Sequence, residues 1–286
     1  METIIQILAR ELGQKEQYVE NVVKLLDDGN TVPFIARYRK EMHGTMDDQT
    51  IRQLADRLAY LRGLDERRAE VRDAIEAQGK LTDELAAAIA QAQTLAALDD
   101  LYRPYRPKRR TRASIAREKE LEPLAAAILA ARTSSPALEA LANPYIDPEK
   151  GVGTAEDALV GAGDIIAEDL SDDANLRGRL RALLHRTGVL KTVGTDEDDT
   201  IYTMYHDFSE PVRRLQSHRV LAINRGEKEG KLKVTLEADE NEAVAAVTRA
   251  ALHPKNPFGD WLRAVCADSW NRLLFFPRSS AKRAAS

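Results

Sequence analysis

DDQTIRQLADRLAYLRGLDERRAEVRDAIEAQG, residues 47–79, decides the fold class. Within it Ile51, Leu54, Leu58, Leu61, Leu64, Val71 and Ile75 recur at intervals of three, four or seven. That spacing returns each apolar side chain to one stripe of a helix, whereas a half-buried strand would alternate every second residue. Asp56, Arg57, Glu66 and Arg67 fill the other face, Asp47 or Asp48 can cap the start, and Gly79 ends the run. The stretch is predicted to be one long amphipathic helix whose seam faces a core or a paired helix.

The helical period continues on both sides. Upstream, Ile4, Ile5, Leu8 and Leu12 mark a short helix ended near Gly13. Val19, Val22, Val23 and Leu26 mark a second, stopped at Asp28-Gly29-Asn30. In TVPFIARYRKEMHG, residues 31–44, Pro33 suits a first helical turn and Phe34 and Ile35 can pack inward. Arg37, Arg39 and Lys40 form a small basic cluster there. Downstream, Thr82, Thr94 and Thr154 read as helix caps, Asp172 or Asp173 as another, and Pro123 and Pro136 as helix openers. Residues 242–252 and 258–274 read as two further helices. Only the stretch near 219–237 carries a strand signal, with Leu232, Val234 and Leu236 alternating against Lys231, Lys233, Thr235 and Glu237.

The fold class is therefore mainly α. It comprises multi-helical, bundle-like subdomains, a long amphipathic helix and one small β element near 219–237. Acids at Asp196, Glu197, Asp198 and Asp199 mark a polar joint. Residues 1–190 are expected to form one helical region and 191–275 a second, mostly helical subdomain.

Composition narrows the function. Charged residues make up 31% and aromatics 5% of 286 residues, which favours helices over a β-sandwich or barrel. A formal net charge of -4 excludes a chain that grips nucleic acid with its whole surface and leaves only local contact. Cys266 is the single cysteine, which excludes an internal disulfide and fits a reducing cytosol. The start, METIIQILARELGQKEQ, gains charge too early for a signal peptide, and no apolar run reaches membrane-spanning length. A cytoplasmic protein with no membrane contact is expected.

Chemistry-bearing motifs are few. His43, His185, His206, His218 and His253 are scattered without a ligand pair at helical spacing, so no metal is expected. No phosphate-loop or dinucleotide fingerprint occurs, no cofactor is expected, and Gly151-x-Gly153-Thr154 reads as a turn and cap. His206-Asp207 with Ser209 has hydrolase residue types but no nucleophile-elbow motif. A non-enzymatic protein is expected, with no catalytic residue assigned.

The remaining signal is LYRPYRPKRRTRASIAR, residues 101–117, which holds seven cations and no acid. Pro104 and Pro107 keep its first half out of a helix, and Tyr102 and Tyr105 interleave with the cations. Arginine and lysine neutralise phosphates, and tyrosine faces stack on unpaired bases. Arg103, Tyr105, Arg106, Lys108, Arg109, Arg110 and Arg112 are therefore candidate contacts to RNA or another single-stranded nucleic acid. The same cations can instead pair with acids on neighbouring helices while the prolines brace a corner, and the residues alone leave both readings open. Ser217-His218-Arg219 and Asn224-Arg225-Gly226-Glu227 read as a buried polar network beside the strand.

Three segments in register, VPFIARYRKE with Gly44 following, LDDLYRPYRPKRRTRASIARE and SHRVLAINRGEKEG, closely resemble the Tex family of bacterial transcription accessory proteins. The likeness runs from Ile4 to about Phe275. It implies a helical N-terminal region with a helix-turn-helix-like part, nucleic-acid-associated modulation of transcription, and no catalytic residues in this region. Complete members continue into a YqgF-type RNase H-like domain, helix-hairpin-helix elements and a C-terminal OB-fold to which RNA binding is mainly attributed. Two alternatives stand beside this reading: a protein-interaction scaffold contacting RNA polymerase or another transcription factor, and a truncated remnant lacking the OB-fold. The family pattern stops after Leu273-Leu274-Phe275, so residues 276–286 are expected to be an unstructured, out-of-frame tail of a truncated or frameshifted member.

Overall fold

The computed structural model describes residues 2–107, 110–195 and 201–275. The acidic joint at 196–199 and the tail expected at 276–286 lie outside these residues. The chain forms two compact units that divide between Leu98 and Asp99.

In the first unit, α1 (Ile4–Leu12), α2 (Glu16–Asp27), α3 (Val32–Tyr38) and, beyond the short α4 (Lys40–His43), α5 (Asp48–Glu76) build a core to which α1, α2, α3 and α5 contribute. Leu8, Val19, Val22, Ile35, Ile51 and Leu54 are wholly buried, and each such side chain contributes about 1.5–3 kcal/mol by leaving water. All seven positions of the α5 seam are buried, as the spacing predicts. Asp47 starts α5 by accepting from the Thr50 N–H at 2.7 Å. Hydrogen bonding, from the Thr50 hydroxyl first, holds the Asp47 carboxyl below its usual range. Thr82 and Thr94 likewise accept from Leu85 and Ala97 N–H groups to begin α6 (Asp83–Gln91) and α7 (Leu95–Tyr102). Of the two residues read as inward-facing on α3, Ile35 is buried but Phe34 remains 37% exposed. Gly44 ends α4 at φ 65°, and a Cβ there would lie 2.8 Å from the Tyr18 ring, so the turn needs glycine.

In the second unit, α8 (Arg112–Glu118), α9 (Glu122–Ala130), α10 (Leu138–Ala142), α11 (Ala155–Asp172) and α15 (Gly259–Asp268) enclose a core around Leu121, Leu124, Ile128, Ile165 and Leu262. Thr154 and Asp157 cap α11 reciprocally. Asp173 caps α12 (Ala174–Thr187), which packs with α14 (Glu240–Ala251) and the π-helical turn Ser269–Leu274 around Trp270. Burial pushes the Cys266 thiol up in the same cluster.

The β element is present and larger than the sequence suggests. Strands β1 (Val189–Gly194), β2 (Asp207–Pro211) and β3 (Leu232–Glu237) form an antiparallel sheet in the order β2-β1-β3. Val189 pairs with Pro211 on one side and Glu237 on the other. Residues 219–228 are not strand. They belong to α13 (Ser217–Lys228), which lays Val220, Ile223 and Gly226 on the sheet. The group read there as a buried network is largely at the surface: Ser217, His218 and Arg225 are exposed, Arg219 pairs with Glu210 at 2.7 Å and Arg225 with Glu229 at 2.9 Å.

Candidate nucleic-acid interface

Residues 101–117 leave α7, pass through one 3-10 turn, Arg103–Tyr105, and enter α8. Pro104 cannot donate to the helical ladder, so α7 tightens and stops there. On the far side the Thr111 hydroxyl accepts from the Ser114 N–H and the Ser114 hydroxyl accepts from the Thr111 N–H, both at 2.9 Å. Helix α8 then lies close on α11. A Cβ at Gly161 would sit 2.4 Å from Leu121 Cδ1 and 3.3 Å from Ala116 Cβ, so glycine sets this approach.

The cations divide into two groups. Arg103 Nε donates to Asp172 at 3.1 Å, with the carboxylate only 12% exposed. Arg117 reaches Glu168 at 3.4 Å, Asp169 at 2.5 Å and Glu122 at 3.7 Å. These two side chains brace the corner against α11. Arg106, Arg110 and Arg112 point outward and are exposed. Arg106 pairs with Asp99 at 2.5 Å and lies over the Tyr102 ring at 5.4 Å. Arg110, 70% exposed, pairs with Glu118 at 3.0 Å. Arg112 acts through space on Asp164, where burial raises the carboxyl above its usual range while Arg272 and then Arg112 pull it down. Tyr105 is half-buried. Lys108 and Arg109, the other candidate contacts, lie outside the described residues.

An open groove runs beside the corner, lined by Arg110, Arg117, Glu118, Asp169 and Asp172 among others. Deeper in the unit, Asp100 fixes the end of α7. Its side chain is 7% exposed and accepts from Arg177 Nε at 2.6 Å and from Arg181 Nη2 at 2.5 Å. Among the described residues no cluster of three or more His, Cys, Asp or Glu is arranged to hold a metal ion, and no helix is long and apolar enough to cross a membrane.

The α3–α4 turn, the corner and α13 carry the three segments singled out in the sequence, and comparison with known proteins decides what they belong to. A family model described as Tex-like protein N-terminal domain matches residues 2–76, and one described as Tex central region-like matches residues 131–280. The chain belongs to the Tex family. Protein tex of Bordetella pertussis is 47% identical over 95% of this chain, and Transcriptional accessory protein Tex of Neisseria gonorrhoeae is 46% identical over 95%. S1 RNA-binding domain-containing protein 1 of Homo sapiens is 29% identical over 78%. The chain spans 36%, 37% and 23% of these relatives' own lengths.

Sequence reasoning singled out the cations of this Tex-family corner but missed the acids that hold it. Asp169 and Asp172 occupy the last turn of α11, which has no basic residue, and Glu168 directly precedes that turn. Acids at a helix C-terminus oppose its dipole by about 0.3–1 kcal/mol each. That misfit signals external cations, and Arg103 and Arg117 supply them.

Proposed function

We propose that this Tex-family chain contributes to transcription without catalysis, by touching RNA or another single-stranded nucleic acid through the corner at residues 101–117. Arg106, Arg110 and Arg112 make the contacts, with Tyr105 beside them and Lys108 and Arg109 as the further contacts proposed from the sequence, while Arg103 positions the corner. The observation that carries this is the division of the cations. Arg103 and Arg117 are held by carboxylates of α11. Arg106 and Arg110 sit in exposed pairs worth about 0–1 kcal/mol, which a phosphate can replace at little cost. The names of the relatives agree with a role in transcription and with RNA, and the cytoplasm is the compartment that we propose for it.

A second reading, a scaffold binding a protein such as RNA polymerase, is favoured by the acids Glu118, Asp169 and Asp172 beside the cations. Phosphate is repelled by such a wall, whereas a polypeptide segment of mixed charge matches it. Titration of labelled single-stranded RNA with the whole chain and with Arg109→Ala/Arg110→Ala, at two salt concentrations, separates the two. Binding that falls with salt and weakens in the variant supports nucleic-acid contact. Equal, negligible binding by both supports the scaffold.

A further inference from the structure

The basic cluster of the first unit is not used by the corner. Arg37, Arg39 and Lys40 lie at the α3–α4 turn and all three are exposed. Several other cations of the same unit meet acids: Arg10 pairs with Glu2, Lys24 with Glu20, Arg57 with Glu11 and Arg62 with Asp27, whereas Lys15, Arg72 and Lys80 are single exposed cations without an ion pair to a described residue. Arg37, Arg39 and Lys40 form no ion pair with any described residue. In a chain of net charge -4, this turn is left cationic.

Two aromatic rings share that surface. Phe34 and Tyr38 stand one helical turn apart, 37% and 60% exposed, with ring centroids 5.3 Å apart and planes tilted by 44°. Arg39 places its guanidinium 5.7 Å from the Phe34 centroid. Arg37 follows Phe34 by three residues, so it shares the face of the two rings. The platform beneath is fixed. Ile35 is wholly buried, His43 is 3% exposed, and Asn21 Nδ2 donates to the Met42 carbonyl at 3.1 Å, tying α4 to α2.

Unpaired cations select an anion, and exposed ring faces select planar groups. A single strand of nucleic acid offers both at once, because its bases are free to stack while its phosphates stay in reach. A duplex hides its base faces, and an acidic peptide supplies charge without planar groups. We propose that the α3–α4 turn is a binding site for single-stranded nucleic acid, with bases against Phe34 and Tyr38 and phosphates against Arg37, Arg39 and Lys40. It uses residues and a unit separate from the corner at 101–117.

The test titrates a fluorescein-labelled single-stranded oligouridylate with the whole chain, read by anisotropy, beside an abasic strand of equal length and charge. Tyr38→Ala should weaken oligouridylate binding on the order of 5- to 100-fold, the range expected for one stacked base. Tyr38→Phe should keep the wild-type affinity, because the ring and not the hydroxyl is used. Arg37→Gln/Lys40→Gln should lower the salt slope by about 1.4, at about 0.7 for each phosphate contact on a single strand. The same loss on Tyr38→Ala should recur in an Arg110→Ala/Arg112→Ala background, which separates this site from the corner. Tyr38 is 60% exposed, so its variants should melt with the wild type. Three outcomes overturn the proposal: unchanged affinity in Tyr38→Ala, equal affinity for the abasic strand, or displacement of the strand by an equal charge of polyglutamate, which points to an acidic protein partner.

Discussion

Asp100→Asn removes one charge at a buried, doubly paired point of the second unit. The Asp100 carboxylate is 7% exposed and shared by Arg177 and Arg181, whose side chains are 20% and 31% exposed. Breaking a fully buried pair from one side costs about 3–5 kcal/mol, because the partner charge is left dry. Here both guanidinium groups keep some water, and Arg177 Nη1 retains the Ser171 carbonyl at 3.3 Å. The expected loss is therefore about 2–3 kcal/mol. At about 2–4 °C per kcal/mol for a unit of this size, the thermal midpoint should fall by roughly 4–12 °C. Circular dichroism at the helix band reads it directly. Glu118→Gln, which breaks only the exposed Arg110 pair, should shift the midpoint by no more than about 1 kcal/mol requires. Replacing all three residues together, as Asp100→Leu/Arg177→Met/Arg181→Met, should recover most of the loss. An Asp100→Asn midpoint equal to wild type refutes the idea that this buried carboxylate fixes the end of α7.

Other outcomes follow from local geometry. Gly161→Ala should destabilise by about 1–3 kcal/mol in urea unfolding, since its Cβ would press on the buried Leu121 and Ala116. Glu120 sits at φ 60° just after α8, and its Lys150 partner is exposed, so Glu120→Gly should raise stability by about 1 kcal/mol in the same assay. The Glu11 carboxyl is held below its usual range, by the Arg57 hydrogen bond first. Its folded form thus binds fewer protons than the unfolded chain between the two values, and the stability it brings is present above the ordinary glutamate range and lost as pH falls below it. Glu11→Gln should accordingly flatten the acid limb of a midpoint-versus-pH curve.

The helices were legible because their apolar spacing and caps are local. The α5 seam, the Thr82 and Thr154 caps and the prolines in the first turns of α3 and α9 can each be read within a few residues, whereas Pro136 lies two residues before α10. The sheet was only partly legible. Strand β3 alternates cleanly, but β1 turns Thr192 inward, 1% exposed, where its hydroxyl donates to the Tyr205 carbonyl, so a polar residue hides the alternation. Strand β2, DFSEP, is a short edge with charges and a proline, the composition edges favour. At the corner the sequence supplied the cations, but their division needed the fold: Asp172 is 69 residues from Arg103 in the chain. Phe34 is 37% exposed rather than packed inward because apolar character alone does not say which side of a two-turn helix is covered.

The division of the corner's cations is tested most directly by salt. Binding of a labelled single-stranded RNA should be followed over a range of salt for wild type and for Arg106→Gln/Arg110→Gln/Arg112→Gln. Each phosphate contact contributes about 0.7 to the slope of log affinity against log salt, so the variant's slope should be shallower by about 2. Arg103→Gln should leave the slope intact and lower the thermal midpoint instead. A slope unchanged in the triple variant would contradict the account and leave the corner as a brace between helices.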